Sequence, residues 1–101
     1  MIKNIKLPKS ILRVIDEGIK SVSPQRIYLY GSQARGTAGK FSDFDLAFEF
    51  STDNKTNWRK FTLDCREKPW SLRSIDLVNL NEAAPELISE IKNHGTIIYE
   101  S

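Results

Sequence analysis

A chain of 101 residues has room for one compact domain, expected over 1–101, and burying roughly 65% of its unfolded surface excludes a second. With 40% hydrophobic and 28% charged residues the composition excludes intrinsic disorder, and a net charge of +2 argues against direct nucleic-acid binding. No apolar run approaches the ~20 residues that cross a bilayer, the start from Met1 to Lys9 is basic without a signal-peptide core, and Cys65 has no second cysteine to pair with, so a cytoplasmic protein away from membranes is expected.

The charge is unevenly spread. Residues 1–40 hold eight basic and two acidic side chains, whereas residues 41–101 hold seven and eleven. A site at their junction can offer cations to phosphates and carboxylates to metal ions.

In chain order, Ile11, Leu12, Val14, Ile15, Ile19 and Val22 recur at helical spacing, which predicts a helix over 10–22 with Ser10 as its N-cap. Ser23-Pro24 ends it, because proline disfavours helical geometry in the residue before it. Arg26 to Tyr30 has strand composition, and Gly31-Ser32 stops that strand before Gln33-Ala34-Arg35, a segment suited to one helical turn. From Asp43 to Phe50 the even positions are apolar and the odd ones mostly acidic, the pattern of a strand buried on one face.

Ser51 to Asn54 reads as a turn. Trp58, Phe61, Thr62 and Cys65 share one side of a helix reaching about Glu67. Ser74 to Leu80 forms a third strand, Pro85 opens a helix carrying Leu87, Ile88 and Ile91, and Gly95 suits a left-handed cap before a last strand from Thr96 to Glu100. The fold class is therefore α/β, a single mixed β-sheet with flanking helices.

Asp43 and Asp45 sit two apart on a predicted strand, so both leave the same face with about 6.6 Å between their α-carbons. Carboxylates ~4 Å apart repel by about 4 kcal/mol at an effective dielectric of ~20, so such a pair calls for a cation, a proton or open water. Magnesium answers that need, since it takes one or two carboxylates together with substrate phosphate oxygens. Asp76 lies between Ile75 and Leu77; with those two facing the core it points the other way and becomes a third acid. A trio of this kind can hold two metal ions about 3.5 to 4 Å apart, the arrangement of phosphoryl or nucleotidyl transfer. Gly31 and Ser32, at the start of a helical turn, offer backbone amides and a hydroxyl to a phosphate, with Arg35 one turn on.

Other chemistry-bearing residues read as structural. His94 beside Gly95 suits a helix end, Cys65 a small core position, Tyr28 and Tyr30 sheet packing, and Glu49 and Asp53 the surface.

Gly31-Ser32, ten intervening residues and Asp43-Phe44-Asp45, with Asp76 further on, resemble the signature of the polymerase-β-like nucleotidyltransferase superfamily. Gly31-Ser32-Gln33-Ala34-Arg35-Gly36-Thr37 and Ser42-Asp43-Phe44-Asp45-Leu46 are most similar to the minimal nucleotidyltransferases, small domains encoded as partners of HEPN-domain proteins. The likeness is clear over residues 27–80 and looser beyond. It implies a palm-like nucleotidyltransferase fold, catalytic and metal-binding roles for Asp43, Asp45 and Asp76, and nucleotide binding by Gly31, Ser32 and Arg35. It also implies two Mg2+ ions when nucleotide is bound, and transfer of a nucleoside monophosphate, expected to be AMP from ATP, to a hydroxyl. The acceptor it implies is a tyrosine of a HEPN toxin, which makes the chain an antitoxin. A binding module neutralising its HEPN partner by contact alone, and transfer to RNA or a small molecule, stay open beside it.

Overall fold

In the computed structural model, residues 7–36, 43–52, 55–67 and 75–101 are described, with the side chains of residues 32 and 35 excepted. The first helix, α1, spans Lys9–Val22 and buries Ile11, Val14, Ile15, Gly18 and Val22 along one stripe. Its start differs from expectation. Ser10 lies inside the first turn, and the N-cap is Pro8, whose carbonyl accepts from the amides of Ile11 at 3.1 Å and Leu12 at 3.0 Å. Proline has no side-chain oxygen to cap the first-turn amides; its ring instead presets the φ of −57° at the helix entry. The helix ends at Ser23, left-handed at φ 47°, directly before Pro24.

Strand β1 (Arg26–Tyr30) runs without a gap into the short helix α2 (Gly31–Arg35). Then follow β2 (Phe44–Glu49), α3 (Lys55–Glu67), β3 (Ile75–Asn79), a 3-10 turn (Leu80–Glu82), α4 (Pro85–His94) and β4 (Thr96–Glu100). The sheet order is β3-β2-β1-β4. Strand β1 is antiparallel to both β2 and β4, while β2 and β3 are parallel, and α3 supplies the crossover a parallel pair requires. The sheet is mixed, as the sequence predicts.

Each strand has two faces, and both are covered. Ile27, Leu29, Phe44, Leu46 and Phe48 pack under α1 and α3, with Phe61 buried and Trp58, Cys65, Ile75 and Leu77 partly buried against them. Phe48, Phe50, Trp58 and Phe61 join through tilted and edge-on ring contacts 5.3 to 6.1 Å between centroids, the geometry that aromatic quadrupoles favour. Thr62, expected on this side, instead donates its hydroxyl to the Arg59 carbonyl at 3.0 Å. On the opposite face Tyr28, Ala47, Leu80 and Ile91 form a smaller buried cluster with Tyr30, Val78, Leu87, Ile88 and Ile97 around it. The expectation that β2 is buried on one face therefore fails at Ala47, which α4 covers.

Helix α4 crosses that second face diagonally, since it connects the end of β3, where Asn79 pairs with Phe48, to the start of β4, where Thr96 pairs with Leu29. Gly95 at its end is not left-handed: its φ is −76°. Glycine is needed there for space, because a Cβ would come within 2.5 Å of the Ile91 carbonyl oxygen. The far end of the sheet is clipped by amides. Asn81 donates to the Phe50 carbonyl at 2.9 Å and accepts from the Phe50 amide at 3.0 Å, while the Asn79 side chain accepts from the Asn81 amide at 3.0 Å. These bonds fix β3 against β2 and so fix the register of everything further along the pair. Among the described residues no helix is long and apolar enough to cross a membrane.

Gly18 tests this packing. In an exposed helix, glycine to alanine gains about 1 kcal/mol, but a Cβ at Gly18 would meet the Phe48 ring at 2.8 Å and the Phe61 ring at 3.0 Å. The Gly18→Ala variant is expected to lose about 1–3 kcal/mol through overpacking, read as a lower midpoint in urea denaturation.

Candidate active site

The strand register assembles one end of the second face. Tyr30 stands opposite Asp45 on the β1/β2 pair, and Asp45 stands beside Asp76 on the β2/β3 pair. Neighbouring strands lie about 4.8 Å apart and paired residues share a face, so two carboxylates side by side leave the sheet together. Ile75 and Leu77 pack in the core below, and Asp76 is exposed, as its alternation predicts. Asp43 is also exposed and lies immediately before β2, two residues from Asp45. Nothing in composition ties Asp45 to Asp76; the parallel crossover through α3 does.

Gly31 closes the row from the β1 side. Its φ is 73°, a left-handed conformation that side chains with a Cβ rarely adopt, and a Cβ built there would fall on the Asp45 carboxylate. The glycine has two reasons to be glycine, and only the turn was legible beforehand. Ser32 and Arg35 follow on α2; their side chains lie outside the described residues, as do Ser42, Asp53 and Trp70.

Tyr30 reports the electrostatics of this end. Burial, then the charges of Asp45 and Asp76, push its hydroxyl from an ordinary value near 10 up to about 12, so at neutral pH it is a neutral donor beside two acids. Among the described residues no three acidic, histidine or cysteine side chains gather into a metal cage. Magnesium does not require one: carboxylate oxygens are hard donors, and one or two of them plus phosphate oxygens complete its shell. Asp45 and Asp76, side by side on β2 and β3, fit that donor set; Asp43, the third acid of the expected trio, lies just before β2 and does not join them in a group of three.

The opposite end of the same face is treated differently. Arg26 pairs in register with Glu49 and Glu100 and bridges them at 3.1 and 3.2 Å. Lys92 from α4 reaches Glu49 at 3.1 Å, and the Tyr28 hydroxyl donates to it at 3.2 Å. Burial pushes the Glu49 carboxyl up, but the bonds from Lys92, Arg26 and Tyr28 outweigh it and hold it below the ordinary carboxylate value. Glu49 is thus a structural anchor rather than the surface charge its sequence suggests. Tyr28 packs in the sheet as expected, and burial, then Asp64 and Glu17, push the Cys65 thiol up to about 11, in keeping with an inert core position.

Sequence reading missed one wall of the site. Leu87, Glu90 and His94 lie on one flank of α4 and come up against Tyr30 and Gly31. Their spacing was legible as helical; their place beside Tyr30 and Gly31 depends on the diagonal crossing.

A family model described as "Polymerase beta, Nucleotidyltransferase" matches residues 13–101. No curated protein matches the chain. Among solved structures, a chain of a toxin–antitoxin crystal structure with AMP-PNP is 25% identical at a TM-score of 0.63, over 92% of this chain and 73% of that one. A chain of a mutant MntA-HpeT toxin–antitoxin structure is 25% identical at a TM-score of 0.62, over 95% and 75%. A chain of the tri-AMPylated Shewanella oneidensis HEPN toxin in complex with MNT antitoxin shares the fold at 22% identity and a TM-score of 0.55, over 92% and 69%.

Two outcomes test the geometry. Gly31→Ala is expected to cost about 1–2 kcal/mol for the left-handed backbone, with any displacement of Asp45 adding to it, measured by urea denaturation. Because the Tyr30 pKa is raised in the fold, the stability it contributes is complete below pH about 10 and is lost as pH rises toward about 12. Thermal melts across that window are expected to fall for the natural chain and to flatten for Tyr30→Phe.

Proposed function

Because this chain belongs to the polymerase beta nucleotidyltransferase family, we propose that it transfers AMP from ATP, with Mg2+, to a tyrosine hydroxyl of a HEPN toxin and thereby acts as its antitoxin. One observation carries the reading: Gly31, Asp45 and Asp76 form a continuous row at one end of one sheet face. That row sets a phosphate-binding turn next to paired acids. The described relatives add support, one being a toxin–antitoxin with AMP-PNP.

In this reading Asp43, Asp45 and Asp76 would be the residues that hold Mg2+. Bound there, the ion would supply a lower pKa for the acceptor hydroxyl and a charge to offset the leaving pyrophosphate. The chain's own part is positioning. Gly31 and Ser32 present backbone amides to the β and γ phosphates with Arg35 beside them. The hydroxyl oxygen forms a bond to the α-phosphorus, the bond between that phosphorus and the β-phosphate oxygen breaks in line to release pyrophosphate, and in this reading Asp76 accepts the hydroxyl proton. The AMP added to the toxin brings negative charge and bulk, which block a site by repulsion and sterics.

The test is label transfer from α-labelled ATP with Mg2+ and the purified HEPN partner. Asp43→Asn with Asp45→Asn is expected to abolish labelling, a loss above a hundredfold, while the complex still forms on a sizing column. Equal labelling by both proteins overturns the assignment. Labelling absent from both, with toxin activity still suppressed, favours neutralisation by contact.

A further inference from the structure

Helix α3 turns one face to the core and leaves the other exposed, and that outer face is not uniformly polar. Leu63 follows the buried Phe61 by two residues, about 200° round the helix. It points away from the core at 49% exposure, the one large apolar side chain so exposed among the described residues. Arg59, Lys60 and Arg66, all exposed and three or four residues away, border it. We propose that this face docks the protein that carries the acceptor hydroxyl, through a patch on that protein with an apolar notch for Leu63 and carboxylates at its rim. The inference rests on the nucleotidyltransferase reading and adds to it the surface that holds the acceptor in place.

Position, shape and charge lead there. Strand β3, an edge of the sheet, carries Asp76, and its Ile75 and Leu77 pack in the same cluster as Trp58, Phe61 and Cys65 of α3. As the crossover between parallel β2 and β3, α3 runs back along the sheet, so its last turn, with Arg66, lies toward the end where Asp76 stands. A protein offering a hydroxyl to Asp76 from that edge has α3 as the adjoining surface. Beside the leucine, the crease between α1 and α3 opens into a cavity of about 150 Å³ lined by Ser21, Asn57, Lys60, Phe61 and Asp64. Lys60 belongs to both, so a projecting side chain and a polar recess lie next to each other, a relief that another protein surface can match. The outer faces of α1 and α4 offer no such anchor: Arg13, Asp16 and Lys20 stand out on the first, Glu86, Ser89 and Asn93 on the second.

Charge then selects the occupant. A second copy would set Arg59, Lys60 and Arg66 against the same three cations, and Glu67 is the one exposed acid of α3; like charges in contact repel. Nucleic acid would match the cations, but a leucine at the centre neither stacks on a base nor bonds a phosphate. An acidic protein face with an apolar centre satisfies both.

Isothermal titration of the purified HEPN partner into the chain tests this, with labelling from α-labelled ATP at saturating partner as the second readout. Leu63→Ser, an exposed change that the fold tolerates, is expected to weaken the complex about tenfold. Arg59→Glu with Arg66→Glu is expected to weaken it at least as much and to flatten its dependence on salt between about 0.05 and 0.5 M NaCl. Labelling at saturation stays within about twofold of the natural chain, because neither change touches the acid row. Affinity unchanged in both variants, with their fold checked by circular dichroism, overturns the docking face and leaves the transferase reading intact. Polyuridylate that binds the natural chain and is lost with the two arginines also overturns it, since the occupant is then nucleic acid. A complex that depends on Leu63 but transfers no label supports the docking face and overturns the transferase reading.

Discussion

The site depends on a close approach between backbone and carboxylate. Asp45 stands on β2, and the chain leaving β1 turns at Gly31 so tightly that a Cβ there would occupy the carboxylate's place. That turn has to be left-handed to carry the chain from strand straight into helix. The turn's backbone and the Asp45 carboxylate are thereby close neighbours, with no room for a side chain between them. The antiparallel pairing of Tyr30 with Asp45 and the parallel pairing of Asp45 with Asp76 then extend the row across three strands.

That row is only as reliable as the register behind it. A slip of one residue in β3 would turn Asp76 into the core and Ile75 or Leu77 into solvent. Two devices oppose it: the apolar burial of Ile75 and Leu77 under α1 and α3, and the Asn79 and Asn81 bonds that tie the far end of the pair to Phe50. The amide clip lies at the opposite end of β3 from the acids. The register of the row is thus secured at a distance from it.

Much of this was legible in the sequence, for identifiable reasons. The strand carrying Phe44, Leu46 and Phe48 announced itself by alternation, and β1 by Arg26 to Tyr30, because period two is a local property. Asp43 and Asp45 followed from the same alternation. Gly31 was legible as a turn but not as the neighbour of Asp45, since that contact joins residues fourteen apart through strand pairing. Ser10 and Gly95 were misjudged because capping rules rank residues without knowing that Pro8 already supplies a free carbonyl or that Ile91 crowds the helix end. Glu49 looked like surface because its partners, Arg26 and Tyr28 on β1 and Lys92 on α4, come from two other segments. What failed was long-range at Gly31 and Glu49, and local, within one helical turn, at Ser10 and Gly95.

The two ends of one sheet face treat charge in opposite ways. At the Arg26 end, acids and bases meet in the same register and neutralise one another, and Lys92 uses that ion network to pin α4 to the sheet. At the Asp45 end, acids are paired with acids across β2 and β3, and the adjoining tyrosine is kept protonated by burial and by their charge. Like charges brought together by strand register cost free energy that the packing elsewhere must offset. A chain that needed only stability would place a lysine or arginine opposite Asp76, as it does opposite Glu49. That it sets a carboxylate there instead, beside a turn that admits no side chain, follows if a cationic ligand bridging to phosphate completes the row.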